Sequence, residues 1–412
     1  MLHENHPLGT AEINLLEGDL FRHLLSEIPP EDNLEPLNPE DCLFFDIETT
    51  GLSSDTSFIF LIGCICRDDT AWRVHQFFIR MVQEEKELLS SFLKLAKKCR
   101  ALVHFNGNTF DLPFLRGRAA ANHMDAGLDD FISIDLYQHF RPLRRKLHLP
   151  HMNQSFLERQ AGWMREDTLS GKEVVQLFWN YAAQIQSNQL SSDLSLKFPS
   201  GQLSTRELLL RHNHDDLTGM LHVLKLEACM ALFSGQISSN VAAEESADYA
   251  FLNIHFQLPH PLPKALELSI DLPDGGQCLL HVLTNRGRLQ IPFFTGTLRY
   301  FLPDYKNYYY LPVENQVVHK SVASYVAKEY REKAKPENCF VTKAGRFLPF
   351  PKFRPENRLD NEAERSMLTE PPFAPVFRKS HESKEGYFEY TSDLGQKPDV
   401  ILLYTKLLLR QM

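Results

Sequence analysis

"FFDIETTGL", residues 44–52, carries an aspartate and a glutamate two positions apart at the end of an apolar run. In a strand, positions i and i+2 face the same side, so Asp46 and Glu48 project together while Phe45 and Ile47 face the other way. Carboxylates flanked by apolar residues cost several kcal/mol each unless they are paired or bound to metal. The strand offers no cation of its own. Compensation therefore comes from an Arg or Lys elsewhere in the chain, or from a divalent cation that uses the shared direction of the pair.

Outward from this stretch, "CLFFDI", "SFIFLIGCICR" and "WRVHQFFIR" read as three successive strands with Ser-, Thr- and Asp-rich turns, a meander. "EEKELLSSFLKLAKKC" has helical spacing, and a strand "RALVHF", a helix over about 109–122 and a strand "FISIDL" follow. A meander followed by alternating helices and strands predicts an α/β fold, a mixed sheet flanked by helices. Upstream, residues 1–40 read as an appended amphipathic helix, "AEINLLEGDLFRHLLSEI", and a Pro- and acid-rich linker, "PPEDNLEPLNPED". Downstream, 153–232 reads as helical. Ser170 and Ser204 stand three residues before Glu173 and Glu207, which makes them helix caps rather than nucleophiles. Residues 241–412 read as a β-rich accessory domain with a hairpin at "NRG" and a loosely ordered Pro-dense tail over 336–376.

At 412 residues and 43% hydrophobic the chain can build two or three domains. "MLHENHPLGT" lacks the layout of a secretory signal and no long apolar run occurs, which predicts a cytoplasmic protein with no membrane partner. The seven cysteines sit in apolar contexts such as "GCIC" without paired CxxC spacing, as reduced core residues would. A net charge of -9 argues against coating nucleic acid by bulk electrostatics. Two local patches stand out. "RPLRRKLHLPH" (141–151) presents Arg141, Arg144 and Arg145, and 328–358 interleaves basic residues with Tyr330, Phe340, Phe347, Phe350 and Phe353. Each is a solvated face or a phosphate contact.

Two further stretches carry acids. In "VHFNGNTFDLPFL" (103–115) a strand ends at a polar turn and a helix begins, placing Asp111 in its first turn, where the unpaired N–H groups favour an anion; a simple helix-start role fits equally. In "LLLRHNHDDLTGMLHVLKLEACMALF" (208–233), a long helix by periodicity, His212 and Asp216 lie one turn apart on one side.

Asp-x-Glu on a first strand, Asn-x-x-x-Phe-Asp opening a helix after a later strand, and a His four before an Asp on a final helix occur here in a fixed order. This resembles the DEDD superfamily of 3′-5′ exonucleases, which have a ribonuclease H-like fold. Within it, "FFDIETTGL", "FIFLIG", "EEKELLSSFLKL", "LVHFNGNTFDLPFL" and "DTLSGKEVVQLFWNY" look like the YprB-type family, over about residues 41–232. "YKNYYYLPVENQVVHKSVASYVAKEYREKAKPENCFVTKAGRF" looks like an extra domain carried by some members.

The resemblance implies a metal-dependent 3′-5′ exonuclease acting on single-stranded DNA or RNA ends. Asp46, Glu48, Asp111 and Asp216 would be the metal ligands and His212 a catalytic residue. Two divalent cations, Mg²⁺ or Mn²⁺, about 4 Å apart would hold the attacking water and the leaving oxygen. Position 212 departs from the pattern: His212 combines the spacing of the superfamily's Tyr branch with the side chain of its His branch. An imidazole there could orient or deprotonate water. Thr49, Asn106, Phe110, Arg141, Arg144 and Arg145 are the candidate nucleic-acid contacts, with Phe105 and Phe114 as stacking or core rings. The alternative is a catalytically silent module that binds nucleic acid or protein and keeps the nuclease fold.

Overall fold

The computed structural model of the chain describes residues 1–29, 35–186, 196–198, 201–271, 276–351 and 362–412. It divides into two units, Met1–Met230 and Ala231–Met412.

In the first unit the chain runs β1 (Leu2–Pro7), α1 (Thr10–Leu16), α2 (Asp19–Ser26), β2 (Cys42–Thr49), β3 (Ile59–Arg67), β4 (Trp72–Phe78) and α3 (Glu85–Ala96). It continues through β5 (Ala101–His104), α4 (Asp111–Ala121), β6 (Ile132–Asp135), α5 (Leu136–Phe140), α6 (Leu143–Lys146), α7 (Gln154–Gln160) and α8 (Gly171–Gln186). A small hairpin, β7 (Leu196–Phe198) and β8 (Gly201–Leu203), precedes α9 (Thr205–Val223) and α10 (Glu227–Phe233), whose last residues belong to the second unit. One six-stranded sheet has the order β1-β4-β3-β2-β5-β6. β2, β3 and β4 form the antiparallel meander expected from the sequence, and β5 and β6 run parallel to β2. The fold is a mixed sheet flanked by helices.

Every residue of β3 except Arg67 is buried, because helices cover both faces of the sheet centre. α3 packs on β3 and β4, and α9 packs on β2 and β3. The alternation of β2 sorts its side chains between them. Phe45 meets Phe92 of α3 with ring centroids 5.5 Å apart, while Asp46 accepts a hydrogen bond from Asn213 of α9. α4 is tied to the start of α3 by Arg118, which grips the buried Glu85 at 2.9 and 2.6 Å. That grip fixes the helix that opens with Asp111.

Three expectations change in detail. The first 29 residues supply an edge strand, β1, paired antiparallel with β4, and two helices where one was expected. Gly18, at the N-cap of α2, stands at the break, where any Cβ would press on the Asn14 carbonyl. Residues 30–34 of the expected linker lie outside the described residues. The long helix expected over 208–233 is interrupted by a 3₁₀ turn at Leu224–Leu226. The Ser204–Glu207 cap forms in full, Ser204 accepting the Glu207 N–H and Glu207 the Ser204 N–H, while at Ser170 Glu173 accepts from the Ser170 N–H and hydroxyl.

The second unit is β-rich. Its strands are β9 (Ala242–Glu245), β10 (Phe251–Gln257), β11 (Leu266–Asp271), β12 (Gln277–Leu283), β13 (Arg286–Pro292), β14 (Phe294–Phe301), β15 (Tyr308–Leu311), β16 (Gln316–His319), β17 (Glu332–Lys333), β18 (Phe340–Pro349) and β19 (Tyr387–Glu389), with helices α11 (Glu362–Thr369) and α12 (Pro398–Gln411). They form antiparallel sheets of order β11-β12-β13-β10-β9, β14-β18-β19 and β16-β15-β17. The expected hairpin is β12–β13, turning at Thr284 and Asn285 so that the strand resumes at Arg286. Within the 328–358 patch, Phe340 and Phe347 are buried, the latter in the core of the β14–β18 sheet, so these rings serve packing rather than a ligand face. Phe353 lies outside the described residues.

Six of the seven cysteines are buried and Cys99 is partly so. No described helix is long and apolar enough to cross a membrane.

Candidate active site

Asp46 and Glu48 close β2 on the face that meets α9. The fit between strand and helix depends on Gly63, which pairs with Asp46 across β2 and β3. A Cβ at position 63 would collide with the Asn213 amide oxygen and the Leu217 side chain, so only glycine lets α9 lie this close. Asn213 is fully buried and aimed at the site. Its Nδ2 donates to Asp46 Oδ2 at 3.0 Å, and Gln76 Nε2 donates to its Oδ1 at 3.0 Å.

Flanking this contact, α9 presents His212, the residue before Asn213, and Asp216, one turn beyond His212, to Glu48. His212 Nε2 lies 3.7 Å from Glu48 Oε1 and 3.4 Å from Asp216 Oδ2. One ligand atom from each of Glu48, His212 and Asp216 falls within 4.8 Å of the others. The opposite edge of the imidazole is held: Nδ1–H donates to Asp167 Oδ2 in a short hydrogen bond. Asp167 is buried, and its backbone N–H donates to Asp215 Oδ2 at 2.9 Å, which locks the loop that carries it. Asp216 is engaged on its far side by Arg165, 2.8 Å away, whose guanidinium also grips the buried Glu158.

Asp111 enters from the first turn of α4. Its carboxyl takes a backbone hydrogen bond from Ile47, the residue between Asp46 and Glu48, and its charge raises the pKa of both. The four acids named from the sequence thus meet at one place, from β2, α4 and α9.

Their protonation shows the strain of that meeting. Burial, then the Asp216, Glu48 and Asp111 carboxylates, pushes Asp46 well above the carboxylate range, against the opposing hydrogen bond from Asn213. Burial raises Glu48 to about 8 despite the nearby His212, and Asp111 to about 7 despite two backbone hydrogen bonds. His212 moves the other way from what burial dictates. Its hydrogen bond to Asp167 and the charges of Glu48 and Asp216 lift it to about 9. Among the described residues Arg165 is paired with Asp216, while Asp46, Glu48 and Asp111 have no Lys or Arg partner. Asp111 is buried and Asp46 and Glu48 are partly so, and three such carboxyls with no basic partner among the described residues are a donor set suited to hard divalent ions.

The remaining candidates sit apart from this cluster or serve the backbone. Thr49 Oγ1 donates to the Gly51 carbonyl at 2.8 Å. Asn106 takes a left-handed conformation, φ 62°, in the turn before α4, with its backbone N–H on Asp135 Oδ1. Phe110 and Phe114 pack together, ring centroids 5.4 Å apart; Phe114 is core and Phe110 leans on it. Phe105 stays half-buried, edge-on to Tyr137. Arg141, Arg144 and Arg145 are exposed around α6 and, with His148, line a surface groove of about 670 Å³. None of the three arginines forms an ion pair among the described residues.

Asp167, Asn213, Arg165 and Gly63 were not singled out from the sequence. Asp167 opens the stretch "DTLSGKEVVQLFWNY", so a signal was present, but its distance of 45 residues from His212 hid the contact.

Residues 43–227 match a family model described as the RNase_H superfamily. No curated protein matches the chain. Among solved structures, the family B DNA polymerase from the archaeon Pyrobaculum calidifontis aligns with 90% of this chain and 45% of its own, at 15% identity and a TM-score of 0.36. The chain thus spans under half the length of that polymerase. The Aedes aegypti Nibbler EXO domain aligns over 52% of this chain and 86% of its own (16% identity, TM-score 0.27), and a product-bound exonuclease I over 90% and 71% (11% identity, TM-score 0.27). These likenesses are too slight to bear on function. Residues 43–227 form an RNase H-like domain.

Proposed function

We propose that this domain is a metal-dependent nuclease, a 3′-5′ exonuclease that hydrolyses phosphodiester bonds at single-stranded DNA or RNA ends. The observation that carries the reading is the convergence of Asp46, Glu48, Asp111 and Asp216, the first three buried or partly buried and without a Lys or Arg partner among the described residues, near the imidazole of His212. Two Mg²⁺ or Mn²⁺ ions held by the four acids would supply positive charge at the attacking water and at the leaving oxygen.

The chain's own residues do the rest. Asn213 holds the Asp46 carboxyl in place and Arg165 holds Asp216, so neither rotates away from the centre. Asp167 fixes the ring of His212 with Nε2 facing Glu48 and Asp216. Charge neutralisation at Glu48 and Asp216 would remove part of what lifts His212, the Asp167 hydrogen bond remaining, and leave Nε2 placed to orient or accept the proton of a water. Arg141, Arg144 and Arg145, which form no ion pair among the described residues, suit contacts to phosphates of the substrate strand.

A silent binding module is the second reading, and it rests on the Arg165–Asp216 ion pair, a cation already seated on one would-be ligand. End-labelled oligonucleotides with Mg²⁺ or Mn²⁺ separate the two. The nuclease shortens the strand from its 3′ end and the Asp46→Asn protein does not; an intact strand after long incubation with excess wild type rejects the nuclease.

A further inference from the structure

The stretch from Tyr305 to Tyr330 holds six of the chain's 13 tyrosines. Three of them, Tyr308, Tyr309 and Tyr310, form most of β15, the middle strand of the β16-β15-β17 sheet. No residue of these three strands is buried, whereas β12 and β13 alternate buried and open positions around a core. The aromatic side chains of β15 therefore remain in reach of solvent. Tyr325 (89% exposed) and Tyr330 (59% exposed) add two open rings on the connection from β16 to β17.

The pairing register sorts charge by face. Tyr309 lies opposite Val318 on one side and Lys333 on the other. By alternation, Lys320 and Arg331 share that face. The Arg331 guanidinium lies 4.9 Å and the Lys320 ammonium 5.9 Å from the centre of the Tyr309 ring. Glu332 pairs with Tyr310 and so belongs to the opposite face. Lys320 and Lys333 form no ion pair among the described residues, and Arg331 is anchored by the Ala323 carbonyl. A tyrosine ringed by three cations, with no acid in register on its face, matches alternating bases and phosphates: every base has a π-face to stack, and a duplex hides its bases while a single strand offers them.

We propose that this face of the β16-β15-β17 sheet binds a single strand of nucleic acid, a base stacking on Tyr309 and phosphates meeting Lys320, Arg331 and Lys333. The class of partner is shared with the nuclease reading, but binding here needs neither the acidic centre nor a divalent cation. The test is fluorescence anisotropy of the full chain in EDTA with labelled dT20, rU20 and a dT20·dA20 duplex. Single strands bind better than duplex, and the preferred arm identifies the sugar. Tyr309→Phe keeps the affinity, Tyr309→Ala loses it roughly tenfold or more. Lys333→Ala, at an open position that does not threaten folding, lowers the salt slope by about one. Equal binding by wild type and both alanine variants, or equal affinity for duplex and single strand, overturns the proposal. Loss of hydrolysis with base-dependent binding intact would count against the nuclease reading alone.

Discussion

Asp167 and His212 are joined by a short hydrogen bond from the imidazole Nδ1–H to a buried carboxylate, leaving Nε2 between Glu48 and Asp216. Asp167→Asn keeps the shape but removes the charge that orients the ring. The expected result is a fall in kcat of roughly 10- to 100-fold with KM little changed, and an altered pH profile. A fall confined to KM would instead assign Asp167 to substrate binding.

The protonation of Glu48 predicts how stability follows pH when EDTA keeps cations away. Its pKa is about 8 when folded and near 4.5 in the unfolded chain, so its contribution is full below pH 4.5 and is lost as pH rises through 8. Asp111, at about 7 against 3.8, acts in the same direction over a lower window. Glu48→Gln should therefore melt increasingly above wild type as pH climbs from 5 toward 8 by about one pH unit at a time in a thermal-shift series. A difference in Tm that stays flat with pH would contradict this assignment.

Cation binding should reverse that instability. Mn²⁺ at about 100 times its Kd adds about 2.7 kcal/mol to a protein that binds one ion. Thermal unfolding with and without Mn²⁺ reads the effect directly: a rise in Tm for wild type, and most of it gone in Asp216→Asn. Wild type and variant rising equally would place the ions elsewhere.

Gly63→Ala tests the closeness of α9 to the sheet. The new methyl group meets Asn213 and Leu217, so a loss of about 1–3 kcal/mol is expected from overpacking, and with it a loss of activity as Asn213 leaves Asp46. Urea unfolding that matches wild type would show that the helix has room to spare.

For the groove beside α6, charge reversal is informative. Arg144→Glu with Arg145→Glu should weaken binding of oligonucleotides of any sequence and lower the dependence of log affinity on log salt by about two. Unchanged salt dependence would remove these arginines from the path of the strand.

Much of the first unit was legible in its sequence because the signals there are local. The apolar runs of β2, β3 and β4, the Ser204–Glu207 cap and the spacing of Asp46 and Glu48 each follow from neighbouring residues. The four acids could be named because their three short motifs, Asp46 and Glu48 late in β2, Asp111 opening α4 and Asp216 four after His212 within α9, resemble a known family's. What could not be read depends on long-range contact. β1, "LHENHP", is polar and rich in His, and becomes a strand only because the β4 edge lies beside it. Asp167 and Arg165 occupy a loop between α7 and α8, and their partners come from α9 some 45–51 residues later. The 328–358 patch read as a solvated face or a phosphate contact, yet Phe340 and Phe347 are packed inward by the sheet.

The proposed nuclease needs Asp46, Glu48, Asp111 and Asp216 to hold a pair of divalent ions. Anomalous diffraction from crystals soaked in Mn²⁺ tests it most directly. Anomalous peaks are expected among these carboxyl groups; electron density with no anomalous peak there at saturating Mn²⁺ would overturn the assignment.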